Sequence, residues 1–367
     1  MSNLDPEKRW LDGLLSHIYF QLRGSDRGRR DKNFDWLWFK KLPTAHFIDT
    51  RRRIRKLLNL FNKEKNKGYT TEWLKSNSAK LWETRQLLVD GLSRRQFDDA
   101  IVLKVVGYRR SFFPAEAFDI YLKINGTQQF SHLTLPDTYM GLSLHILNVE
   151  IGKKGEPSEI IAADGFTEGL NRYRQYFVER DGIRFAPQTG EIVLDCGACI
   201  GDVATVFAMH VGSTGQVHLF DPMPTHVAFC NEQKALNPHL ASRMHVVPMA
   251  VGMLSNGSMQ LNDNTTEIEP NAVPDSSFPF VSIDDYVRNK GIRVDVIKMD
   301  IEGGEGDALR GAEHTLRTFQ PRLMISAYHR QDDLWALREL IQEINPNYRF
   351  HFGHHTPVQW ESVFYAT

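Results

Sequence analysis

Three acidic stretches in the second half of the chain carry the residue types and spacings best suited to chemistry. The first is EIVLDCGACIG, residues 191–201: an apolar run ending at Asp195, a turn holding Gly197 and Gly201, then an apolar helical pattern. A buried parallel strand feeding a helix through a glycine turn reads this way. Glycine at such a turn lets a ligand approach the backbone, and the helix start offers unpaired N–H groups. The second stretch is HLFDPMP, residues 218–224, where Asp221 ends an apolar run 26 residues after Asp195. The third, DVIKMDIEGGE at 295–305, sets Asp300, Glu302 and Glu305 where another apolar run stops. His329 follows one more such run in ISAYH, residues 325–329.

Each pattern selects a chemistry. A dinucleotide fold calls for G-x-G-x-x-G after its first strand, to seat a pyrophosphate at a helix N-terminus. Here an acid precedes one close glycine and another four residues on, which suits a phosphate-free cofactor with a cationic amino-acid end. S-adenosylmethionine is such a molecule. Asp195, Gly197, Ala198 and Gly201 are then the cofactor turn. Asp221 is placed to accept hydrogen bonds from both ribose hydroxyls, unless it merely caps the next helix. Pro222 and Met223 would flank the adenine, and Ala250, just past the third strand, completes the candidate cofactor residues.

Three carboxylates within six residues repel one another unless something positive lies among them. The sulfonium, a protonated acceptor, Lys298, or a divalent metal on Asp300 and Glu302 would each serve. Alternatively one carboxylate is the base for an acceptor hydroxyl. Glu305 also reads as a helix-dipole cap. His329 can accept a proton or bind a metal; His354 and His355 form a weaker pair. Cys196 and Cys199 have zinc or thioredoxin spacing, but no second pair exists. Asp300, Glu302 and His329 are therefore the catalytic candidates.

Alternating strands and helices must position these groups. After Gly165, strands end near Asp195, Phe220, Met249, Met299 and Ala327, with helices over 202–210, 224–236, 283–289, 307–318 and 332–344. That order implies a mostly parallel α/β sheet. Two closing strands, 348–353 and 361–365, imply a terminal antiparallel hairpin. Earlier, helical faces are expected over 5–23, 47–65 and 71–92, with a basic, aromatic segment at 25–43. Apolar patches at 101–106 and 112–124 imply a change from helix to strand. Periodicity fades between 136 and 165, which divides a mainly helical N-terminal extension, residues 1–160, from a cofactor-binding domain, residues 161–367.

Composition supports this division. Residues 1–150 carry 26 Lys and Arg against 17 Asp and Glu, while residues 151–367 carry 18 against 28. The basic extension reads as a solvated helical surface, as a recruiter of an anionic partner or as a face that docks on the acidic part; acceptor choice and dimerisation are the roles open to it. No nucleic-acid contact is expected, because its aromatics cluster once and do not repeat. No apolar run reaches transmembrane length, the N-terminus lacks signal-peptide order, and three cysteines suit a reducing cytoplasm.

VLDCGACIGD (193–202), HLFDPMP, DVIKMDIEGGEGDALRGAEHTL (295–316) and ISAYHRQDDLW (325–335) resemble the FkbM family of S-adenosylmethionine-dependent methyltransferases. The resemblance covers roughly residues 170–367. It implies a class I methyltransferase Rossmann-like sheet and methyl transfer, most often to oxygen on natural products, sugars or glycans. Asp195, Gly197, Gly201 and Asp221 match the family's cofactor motif; Asp300, Glu302 and Glu305 match its acceptor-side acids. Asp221 stands where Glu is commoner. Ser326 stands where many members carry an acid, which shifts base duty to His329 or Glu302. Two other readings remain: an NAD-dependent oxidoreductase, and a non-catalytic binding module.

Overall fold

A computed structural model describes residues 5–23, 69–106, 122–139, 142–151, 157–163, 175–255, 257–260, 277–355 and 360–367. The expected basic helix at 47–65 and the basic, aromatic segment at 25–43 lie outside them. Four helices come first: α1 (Pro6–Arg23), α2 (Thr71–Ser76), α3 (Ser78–Leu87) and α4 (Gly91–Val106). The expected helix over 71–92 is thus two helices meeting at Asn77. Thr70 caps α2, its Oγ1 accepting the Trp73 N–H at 3.0 Å.

The chain next turns to strands: β1 (Leu122–Gln129), β2 (Thr138–Tyr139), β3 (Leu142–Ile151) and β4 (Ser158–Ala163), all antiparallel around β3. The extension is therefore not mainly helical throughout, and a boundary at 160 would cut through β4. Periodicity looks weak there because β4 is buried on both faces, Ile160 and Ala162 in one core cluster and Ile161 and Ala163 in another, and because turns interrupt the strands. A short hairpin, β5 (Glu179–Arg180) and β6 (Ile183–Arg184), follows.

The remaining elements build the main sheet, its helices and a small separate sheet of three strands. They are β7 (Ile192–Cys196), α5 (Asp202–His210), β8 (Gln216–Phe220), α6 (Pro224–Leu236), β9 (Met244–Val247), β10 (Ala250–Val251), β11 (Gly257–Gln260) and β12 (Ser277–Val281). After these come α7 (Ile283–Lys290), β13 (Val296–Met299), α8 (Glu305–Arg310), α9 (Glu313–Thr318), β14 (Arg322–Ser326), α10 (Asp333–Ile344), β15 (Phe350–His354) and β16 (Ser362–Ala366). Seven strands run in the order β15-β16-β14-β13-β7-β8-β9. β7, β8, β9, β13 and β14 are parallel, and β15 and β16 form the expected antiparallel hairpin. The expected helix over 307–318 is the pair α8 and α9.

Alternate strand residues feed two cores. Leu194, Ile297, Leu323, Ile325 and Phe364 face one layer, which holds α1 to α4 together with α7 to α10. Val193, Val217, Leu219, Val296, Met324 and Val363 face the other, with α5 and Tyr176. Burying each such side chain contributes about 1.5–3 kcal/mol. The N-terminal helices are therefore a layer of the sheet's own core: Phe97 of α4 meets Phe352 of β15 edge-on at 5.2 Å.

β4 is also tied to α6. Gln233 accepts the Ile161 N–H at 3.0 Å and donates to the Ile161 carbonyl at 2.9 Å; Asn237 does the same for Glu159 at 2.8 and 2.7 Å. Residues one helical turn apart advance about 6 Å and alternate strand residues about 6.6 Å, so the two amides match the strand edge.

Candidate active site

Neighbouring strands diverge at β7 and β13, where the connections leave in opposite directions. Ligands of open α/β sheets bind at the carboxyl ends of strands at such a point. Asp195 lies in β7, Asp221 follows β8, Asp300 follows β13, and His329 lies three residues beyond β14.

The glycine turn is built tightly. The Gly197 and Ala198 N–H groups donate to the Phe220 carbonyl at 2.9 and 3.0 Å. Gly197 has φ +81°, and a Cβ there would lie 1.9 Å from the Asp300 carbonyl oxygen. Gly201, at φ +78°, lies against Cys230, whose Sγ would be 3.2 Å from an added Cβ. At both glycines the space a side chain would take is filled by the protein itself. The turn is thereby pressed against the Asp300 backbone.

Asp195 is wholly buried, and its Oδ1 pairs with Lys298 Nζ at 2.9 Å. Lys298 also donates to the Gly197 carbonyl at 2.6 Å and lies over the Tyr176 ring at 5.5 Å. Burial pushes the Asp195 carboxyl above its ordinary range, and the Lys298 ammonium opposes that rise. Asp195 thus holds the turn through Lys298, and Lys298 is primarily its partner among the carboxylates.

Asp221 is also built into the turn. Its Oδ2 accepts the Cys199 N–H at 2.9 Å; its Oδ1 accepts the Met223 N–H and His226 Nδ1, both at 3.0 Å. The capping contact to Met223 accompanies a second role in fixing Cys199, which has φ +54°. Pro222 and Met223 are half-buried beside it, whereas Ala250 is buried in the small sheet of β10, β11 and β12.

The third stretch forms a cage around His329. Its Nδ1 lies 3.0 Å from Glu305 Oε1, and its Nε2 lies 3.3 Å from Asp300 Oδ1 and 3.6 Å from Glu302 Oε2. Burial alone would lower the imidazole pKa, but Glu305 and Asp300 outweigh it and hold the ring well above its ordinary value. The carboxylates around the ring thus favour its imidazolium form. An imidazolium has no lone pair to offer a substrate proton.

Burial would raise the Asp300 carboxyl, yet His329, Lys298 and the Tyr328 hydroxyl together hold it well below the usual range. Tyr328 donates to Asp300 Oδ1 at 2.9 Å and Tyr176 to Oδ2 at 3.3 Å. A carboxylate so well satisfied is a firm anion and a poor base. Glu305 Oε1 accepts the Ile301 N–H at 2.9 Å, as expected of a helix-start acid. Glu302 differs from both: its side chain is 51% exposed and its backbone has φ +55°. A non-glycine residue held in that region is strained, and such residues cluster at functional sites.

Among the described residues, the set at this site with one ligand atom each within 4.8 Å is Asp300, Glu305 and His329, not the expected Asp300 and Glu302. His329 turns its two nitrogens to different carboxylates, Nδ1 to Glu305 and Nε2 to Asp300 and Glu302. The cysteine pair is not brought together as a site: Cys196 is buried in the first core layer, and Cys199 donates its thiol to the Tyr139 hydroxyl at 3.0 Å. His354 and His355 belong to the terminal hairpin. His354 Nδ1 meets Ser362 at 2.8 Å, and His355 Nε2 meets Tyr365 at 2.6 Å.

Four participants were missed in the sequence: Tyr139, Tyr176, His226 and Tyr328. Tyr139 comes from a stretch without clear periodicity, and Tyr176 precedes the first expected strand of the cofactor domain. Tyr328 adjoins His329, and His226 stands five residues after Asp221, inside the next helix; those spacings were the available signals.

Residues 195–352 match the family model for the methyltransferase FkbM domain. Among solved structures, the FkbM methyltransferase of Methylobacillus flagellatus KT aligns at 21% identity with a TM-score of 0.51, covering 80% of this chain and 60% of that one. The chain thus spans about three fifths of that protein's length, and likeness at this identity establishes the fold. Aeropyrum pernix fibrillarin, solved with natively bound S-adenosyl-L-methionine, aligns at 12% identity and TM-score 0.35 over 67% of this chain and 99% of its own. A structure described as a putative O-methyltransferase from Klebsiella pneumoniae aligns at 12% identity and TM-score 0.32, covering 48% and 72%. Likenesses at those scores carry no argument about function. No curated protein matches the sequence.

Proposed function

From a chain that carries a methyltransferase FkbM domain on a class I sheet, we propose that this protein is an S-adenosylmethionine-dependent methyltransferase. Its acceptor is a hydroxyl on a sugar, glycan or natural-product intermediate. The observation that carries this reading is the contact between the glycine turn and Asp300, which sets the cofactor side and the acid cage back to back across one strand gap. The donor set fits the cofactor's chemistry: Asp195, Asp221 and Asp300 end three adjacent strands, a poor setting for phosphates and a good one for hydroxyls and positive charge.

When bound, the cofactor supplies an activated methyl group on a positively charged sulfur. The protein's residues do the rest. Asp221 accepts ribose hydroxyls; Pro222, Met223 and Ala250 bound the adenine side. Asp195 acts through Lys298 to keep the turn in shape. Asp300, fixed by Tyr176, Tyr328 and His329, presents a permanent negative charge to the reacting centre. Glu302 receives the acceptor's hydroxyl proton, because it is the exposed carboxylate of the cage. Holding the acceptor oxygen aligned with the methyl group supplies most of the acceleration. The three free cysteines support a reducing compartment, and no described helix is long and apolar enough to cross a membrane.

Titration calorimetry with S-adenosylmethionine tests the reading. The wild type should bind, and Asp221→Ala should weaken binding at least about tenfold, the worth of a hydrogen bond to a charged group. Absence of binding by folded wild type would overturn it. Mass-detected methyl transfer to a panel of polyhydroxylated acceptors then identifies the acceptor class.

A further inference from the structure

Asp221 is held by three protein donors, and their distribution between its oxygens is uneven. Oδ1 receives two, from Met223 N–H and His226 Nδ1; Oδ2 receives one, from Cys199 N–H. A carboxylate offers about four acceptor positions, so Oδ2 is the oxygen with room for an incoming hydroxyl. Because a carboxylate only accepts, His226 must carry its proton on Nδ1. That N–H fixes the carboxylate's rotation, and so decides which oxygen faces out.

His226 is itself held from outside the matched domain. The Tyr139 ring stands at 65° to the imidazole with centroids 5.7 Å apart, and the Tyr139 hydroxyl accepts the thiol of Cys199, the residue whose N–H binds Asp221. Tyr139 ends β2, which pairs with β3; β3 pairs with β4; and β4 is locked by Gln233 and Asn237 to the helix that carries His226. The path closes into a ring. Phe130, Tyr139, Leu144, Ile161, Ile200 and Phe229 fill its interior as a separate apolar cluster.

We propose that His226 and Tyr139 are positioning residues for the cofactor ribose: they aim Asp221 Oδ2, so that the N-terminal strands take part in cofactor recognition. The proposal rests on the cofactor reading given above. It predicts an effect confined to the ribose hydroxyls, which a general loss of structure would not produce.

Binding of S-adenosylhomocysteine and its 2′-deoxy and 3′-deoxy analogues is measured calorimetrically on the full chain. Wild type should favour the natural ribose over at least one analogue by about ten- to a hundredfold, the range for a hydrogen bond to a charged group. His226→Phe keeps a ring against Tyr139 and removes the donor. It should weaken the natural ligand to the level of that analogue, leave the analogue's affinity within about twofold, and erase the preference. Tyr139→Leu, checked for an unchanged melting transition, should lower the preference at least about threefold. Equal weakening of all three ligands by His226→Phe would show a merely structural role and overturn the proposal. If His226→Phe does not fold, an unaltered preference in Tyr139→Leu overturns it. Failure of wild type to bind any of the ligands would instead bring down the cofactor reading, and this proposal with it.

Discussion

At the residue scale, the acid cage separates three carboxylates that look alike in the sequence. Asp300 and Glu305 spend their charge on His329, and Glu302 stands at the rim. Glu302→Gln is therefore expected to lower kcat by about 10²–10⁴, the range of general-base catalysis, with S-adenosylmethionine affinity changed less than about threefold. Stopped assays and calorimetry on the same preparation check both. His329 makes a different prediction. Its folded-state pKa is raised, so its contribution to stability is complete below about pH 6.5 and fades as pH rises through the raised value. Asp300 shifts the opposite way, so its contribution holds above about pH 4 and is lost as pH falls through the depressed value. The difference in Tm between wild type and His329→Gln should accordingly be largest near pH 6 and shrink toward alkaline pH. A difference that grows there would contradict the imidazolium assignment. The sequence identified the members of this cage because acids and a histidine at strand ends stand out. It did not reveal His329's charge, which depends on Glu305 reaching back to it from the start of α8.

At the element scale, the strand-and-helix alternation after Gly165 was readable because the central strands β7, β8, β13 and β14 are buried on both faces and helices separate them. The helices over 202–210 and 224–236 fall where their apolar spacing and the Gly201 and Pro224 signals put them. The stretch between 122 and 163 was not readable as strands. Part of what holds β4 is an edge made by side-chain amides, and Gln233 and Asn237 on a helix surface resemble ordinary solvated residues. Gln233→Ala leaves the Ile161 N–H and carbonyl buried without partners, at a cost of about 1–3 kcal/mol each. Urea unfolding should show a loss of about 2–6 kcal/mol; a loss under about 0.5 kcal/mol would mean the amide contacts are replaced by water.

At the scale of the whole molecule, charge asymmetry between the halves pointed to two segments, yet the structure binds them through one core. Trp73 of α2 lies 6.0 Å from Trp335 of α10, and Arg338 reaches Glu83 and Thr84 of α3. A chain starting at residue 161 would lack that layer and part of β4. It should fail to give a cooperative thermal transition, whereas a chain starting at 5 should melt like the full protein. A sharp transition in the shorter chain would restore the independent-domain view. The amide pairing of β4 has a last consequence, for synthesis. β4 leaves the ribosome about 70 residues before Gln233 and Asn237, and until they arrive its outer edge presents bare N–H and carbonyl groups. Unpaired edges are templates for association between chains. Chains arrested between residues 164 and 232 should therefore be the forms that self-associate, and completion of one helix turns a sticky edge into a silent one.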